Sequence, residues 1–100
     1  MAVYMLLTSL TDAGRKIVEE QPERLKDFNK EMEYMGVKIL TQYALLGPYD
    51  FVNIVEGSGD EFMARLAIHL SAGGIFQTMT LAAIPLDNLI AALKKKSTPL

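Results

Sequence analysis

The chain has no cysteine and a single histidine, His69, among its 100 residues. The missing thiols exclude disulfides, thiolate metal sites and cysteine nucleophiles. One histidine cannot build a multi-histidine metal centre within one chain, so neither a metal nor a cofactor is expected. Basic charge is also scarce: ten Lys and Arg stand against twelve Asp and Glu, for a net charge of -2. Neutralising a phosphate backbone takes a concentrated basic face, so nucleic acid is not an expected partner. The run Lys94-Lys95-Lys96 reads as a solubilising segment that complements the C-terminal dipole of a helix.

An unbroken membrane-length apolar run is lacking as well. Leu66 to Leu86 carries no charged side chain, but Gly73-Gly74, Gln77, several threonines and Pro85 interrupt it. That stretch reads as a helix end, a turn and a strand, and not as a membrane span. Residues 1–10 are apolar without a preceding Lys or Arg or a following small-residue cleavage site. The expectation is a soluble, cytoplasmic protein with no targeting segment and no membrane partner.

Apolar residues, by contrast, are abundant. Half the chain is hydrophobic and the mean hydropathy is +0.17. One hundred residues make one domain, here taken as 1–100. So small a domain has much surface for its volume and leaves apolar groups uncovered. An exposed apolar patch marks a partner surface, and the expected partner is a second copy of the chain, giving at least a dimer.

Residues 2–10 are β-prone and apolar on both alternating faces, as a doubly covered central strand would be. Thr11 is placed to N-cap a first helix, and Pro22 to restart or kink it. Leu25, Phe28, Met32 and Met35 form a helical stripe that Gly36 terminates. A second strand is expected over 37–46, with Val37, Ile39, Thr41, Tyr43 and Leu45 on one face. The Gly47-Pro48-Tyr49-Asp50 turn leads into a third strand over 50–56. Ser58 and Glu61 have capping-box spacing before a second helix bearing Phe62, Met63, Leu66, Ala67 and Leu70. After Gly73-Gly74 comes a fourth strand over 75–84. A short helix over about 86–96 closes the chain, with Leu86, Leu89, Ile90 and Leu93 on one side.

This order is the ferredoxin-like βαββαβ pattern plus a tail helix, an α+β fold with a core over about 3–84. Right-handed crossovers give an antiparallel four-stranded sheet of order 4-1-3-2, with both helices on one face. The other face then has no cover within the chain except what the tail helix hides. Two such faces packed together would make a barrel-like dimer.

The stretch Leu46-Gly47-Pro48-Tyr49-Asp50-Phe51-Val52-Asn53-Ile54-Val55-Glu56, followed by Asp60-Glu61, resembles the signature of the GYD-domain family. That family is named for its Gly-x-Tyr-Asp turn. Leu10-Thr11, Gly14, Pro22, Arg24-Leu25 and Met35-Gly36 support the likeness upstream, over roughly residues 3–84. The resemblance implies a ferredoxin-like, dimeric α+β-barrel domain of bacterial or archaeal proteins without an agreed activity. One position departs from it. Family members often carry Arg-Thr in the fourth strand, where this chain has Gln77-Thr78. An anionic ligand held by that arginine would lose the contact here.

The residues that could form a small-molecule site at the barrel end are Tyr43, Tyr49, Asp50, Asn53 and Gln77. For the turn residues, geometry is the competing role: Gly47 can take a positive φ, and the Asp50 carboxylate can bond backbone amides of the turn. His69 lacks an evident orienting partner and is expected to be non-catalytic, bordering solvent or a subunit contact. Thr8, Thr41, Tyr43, Asn53, Gln77, Thr78 and Thr80 are polar residues within apolar strands, and buried polar groups need partners. Tyr4 and Phe51 read as core residues, since no basic surface surrounds them for base stacking. No catalytic set is assembled from these residues. The chain therefore reads as a small oligomeric binding or assembly module. The alternative is a cofactor-independent enzyme using Tyr43, Tyr49, Asp50 or His69 on a small, mostly apolar substrate.

Overall fold

The computed structural model describes residues 1–95. Its elements run β1 (Ala2–Leu10), α1 (Asp12–Glu20), α2 (Arg24–Met35), β2 (Lys38–Ala44), β3 (Phe51–Gly57), α3 (Asp60–Ala72), β4 (Phe76–Ala83) and α4 (Leu86–Lys94). The strands form one antiparallel sheet of order β2-β3-β1-β4, the 4-1-3-2 arrangement read in reverse. The fold is ferredoxin-like α+β. Lys96, the last residue of both the expected tail helix and the basic run, lies outside the described residues.

Local chemistry explains most boundaries. Thr11 caps α1 by accepting from the Gly14 amide at 3.0 Å. Pro22 stands at the break between α1 and α2, where a missing N–H costs least. Gly36 ends α2 in the left-handed region at φ 113, which suits a residue without Cβ. Gly14 lets the start of α1 sit against β4. A Cβ there would lie 2.3 Å from the Ile75 carbonyl oxygen, which already accepts from Thr11 N at 2.9 Å.

The core lies between the helices and one sheet face. Tyr4, Leu6 and Val55 meet Met32, Met63, Leu66 and Leu70 there, with Val37 beside them. Phe28 of α2 packs edge-on against Phe76 of β4, with ring centroids 4.8 Å apart.

The structure departs from two sequence expectations. First, β2 does not alternate evenly: a bulge at Leu40 lies between the Ile39–Val55 and Thr41–Ile54 pairs. The extra residue reverses the strand's phase. Gln42 and Ala44, opposite Asn53 and Phe51, therefore fall on the helix-covered face, while Thr41 and Tyr43 move to the other. Second, Ser58 is not the cap of α3. Gly59 is the N-cap residue, without a side-chain bond, and Asp60 in the first turn instead accepts from the Tyr4 hydroxyl at 2.7 Å.

The tail helix does not cover the open face. Every residue of α4 is exposed, including Leu86, Leu89, Ile90 and Leu93. The molecule is elongated, with principal extents of 58 × 27 × 22 Å. The radius of gyration is 16.1 Å, against about 13 Å for a compact chain of this size. No described helix is long and apolar enough to cross a membrane.

Candidate functional site

Strand alternation assigns the uncovered face. Because Tyr4, Leu6 and Thr8 are buried under the helices, Val3, Met5 and Leu7 of β1 point the other way. Strand pairing sets Val52 and Ile54 of β3 on one side of them, and Met79 and Leu81 of β4 on the other. Met79 and Leu81 remain 45% and 43% exposed. The centre of this face carries no charge; Lys38 and Glu56 are paired toward one corner.

The Gly47-Pro48-Tyr49-Asp50 turn borders the same face. Gly47 has φ 132, and the Pro48 carbonyl accepts from Ser9 Oγ at 3.2 Å. The Tyr49 hydroxyl reaches Met79 Sδ at 3.3 Å, so its ring leans over the open face. Asp50 holds the turn through three contacts. Its carbonyl accepts from Leu45 N at 2.7 Å and its amide donates to the Thr8 carbonyl at 2.8 Å. Its carboxylate accepts from Leu10 N at 2.7 Å, an amide of β1 and not of the turn as expected. Asp50 thus extends the β1–β3 ladder one step past Phe51.

The five expected site residues divide between the faces. Tyr43, 61% exposed, and Gln77 lie on the open face. Tyr49 and Asp50 sit at its rim, one over Met79 and the other tied to β1. Asn53 is on the opposite face, where its Oδ1 accepts from Gln42 Nε2. Gln42 in turn makes a reciprocal amide pair with Asn29 of α2, both bonds 2.8 Å. Sequence reasoning did not join these three residues, since the contact depends on the Leu40 bulge.

His69 has a partner after all. Its Nε2 contacts Glu31 Oε1 at the surface, linking α3 to α2, and no described hydrogen bond joins it to Asp50, Tyr49 or Tyr43. A pair with both side chains about half exposed is a surface tie between helices. Tyr4 is buried, and its hydrogen bond to Asp60, with desolvation and that carboxylate's charge, pushes the phenol above its ordinary pKa. Among the described residues, no group of three or more His, Asp or Glu side chains could hold a metal ion.

The GYD domain model matches residues 4–93. A Thermus thermophilus protein described as glutamine synthetase and cystathionine beta-lyase binding protein is 47% identical over 95 residues. That match covers 94% of this chain and all of the relative. No solved structure matches the chain. With the family model spanning nearly all the described residues and the turn intact, this chain belongs to the GYD-domain family.

Proposed function

We propose that this chain is an oligomeric binding module. Copies pair through the open sheet face into at least a dimer, and the assembly docks onto an enzyme. The observation that carries the reading is the uncharged apolar centre of that face, with Met79 and Leu81 uncovered and no residue of α4 buried. Contiguous apolar surface of this kind is concentrated at interaction sites. The turn supports it by placing Tyr49 at the rim, where an aromatic with a polar tip suits an interface. The relative's description makes glutamine synthetase and cystathionine beta-lyase the first partners to test.

The test uses the wild-type chain and a Met79→Lys/Leu81→Lys variant, whose substitutions fall on exposed positions. Size-exclusion chromatography with light scattering reads self-association, and co-migration with each purified enzyme reads docking. The expected result is an oligomeric wild type that carries an enzyme with it and a folded, monomeric variant. A folded variant with unchanged mass would remove the open face as the pairing surface. Absence of co-migration with either enzyme at micromolar concentration would remove the docking role.

A further inference from the structure

A cavity of about 260 Å³ lies on the helix-covered side, apart from the open face. Its apolar wall includes Leu25, Phe28 and Met32 of α2, Phe51 of β3 and Phe76 of β4. One patch of its lining is polar: Thr8, Asn29, Gln42 and Asn53. Thr8 and Asn53 are 4% and 3% exposed, as deeply placed as core residues. Protein interiors are packed with few voids larger than a water molecule. An apolar cavity of roughly 150 Å³ is enough to hold benzene.

We propose that this cavity is a binding site for a neutral, largely apolar ring compound, about two fused rings in size, that carries a carbonyl. Three observations lead to it. Gln42 donates to both Asn29 and Asn53, which occupies Asn53 Oδ1 and turns its amide nitrogen free to act as a donor. Thr80 Oγ1 is the sealed, partnerless side-chain atom among the described residues, so the unbonded Thr8 Oγ1 and Asn53 Nδ2 are not sealed; both residues line the cavity. No described hydrogen bond engages the Thr8 hydroxyl, leaving two donors diagonally across the paired strands β1 and β3, on the same face, to share one acceptor.

The charge class follows from the lining, which contains no Asp, Glu, Lys, Arg or His. A carboxylate, phosphate or ammonium group would lose its water there without a counter-charge. The bulge at Leu40 supplies independent support. Even alternation from Ile39 would point Thr41 and Tyr43 toward α2 and turn Gln42 to the open face. The inserted residue instead delivers Gln42 to Asn53, the side-chain re-aiming for which bulges are retained near binding sites.

The test is heteronuclear NMR titration of the full chain with 1-indanone, indane and indane-1-carboxylate. 1-Indanone should bind saturably and shift the side-chain amide signals of Asn29, Gln42 and Asn53 and the backbone amide of Thr8. Indane, lacking the acceptor, should bind about tenfold more weakly, the effect of losing one hydrogen bond. The carboxylate should not bind. Ala44→Phe, at an exposed cavity-lining position, should abolish binding by filling the space. If that variant fails to fold, the shift map of the wild type decides. Equal affinities for 1-indanone and indane, shifts confined to the open face, or no saturable binding at millimolar concentration would overturn the proposal.

Discussion

Replacing Asp50 with alanine separates a turn residue that builds the fold from one that binds a ligand. The carboxylate accepts from Leu10 N at 2.7 Å, at the end of a strand that occupies the centre of the sheet. Alanine leaves that amide without its partner, and a hydrogen bond to a charged group contributes about 1.5–3 kcal/mol. The site is only part-buried, so water can replace some of the bond and the lower end, about 1.5 kcal/mol, is expected. For a domain of this size that corresponds to a Tm lowered by roughly 6–12 °C. Asp50→Asn keeps an acceptor oxygen without the charge and should recover about half the loss, since charge-assisted bonds are roughly twice as strong as neutral ones. The assay is urea denaturation at one fixed protomer concentration, because association shifts apparent stability. The midpoint should fall while the slope stays constant, marking a stability change and not a change in the unfolded state. A wild-type midpoint in Asp50→Ala, combined with loss of a specific ligand or partner, would refute the structural role.

Gly14→Ala should destabilise although alanine is the better helix former. Overpacking against the Ile75 carbonyl is expected to cost about 1–3 kcal/mol, set against a helical gain of about 1 kcal/mol; a raised Tm would show that β4 gives way easily. Tyr4 should make stability fall at alkaline pH. Its pKa is raised in the fold, so its contribution is fully present below the ordinary phenol value near 10 and is lost as pH rises through the higher folded value. Tyr4→Phe should flatten the stability profile above about pH 10, and an unchanged profile would show that the Asp60 hydrogen bond does not govern it.

Local signals gave a true reading wherever the chain's own neighbours decide the outcome. Thr11 before Gly14, Pro22 between two helices and Gly36 after Met35 each act within a few residues. The apolar character of both faces of β1 marked a central strand, though only the face of Tyr4, Leu6 and Thr8 is covered within the described chain. Contacts between distant residues were less legible. Asn29, Gln42 and Asn53 converge only because Leu40 shifts the phase of β2, and neither a glycine nor a proline marks that bulge. His69 and Glu31 are 38 positions apart and meet through helix packing that periodicity alone does not specify. Ser58 shows a local pattern overruled: the tertiary bond from Tyr4 engages Asp60 at the helix start, and Gly59 takes the cap position.

Pairing of the open sheet face with a second copy is the central proposal for this molecule. Light scattering on the wild-type chain across micromolar concentrations measures this directly, with the Met79→Lys/Leu81→Lys variant run beside it. The mass of one chain is 11.1 kDa. Pairing through this face gives a wild-type mass of at least two chains and a variant that is folded and monomeric. A wild type that remains at the mass of one chain throughout would contradict it.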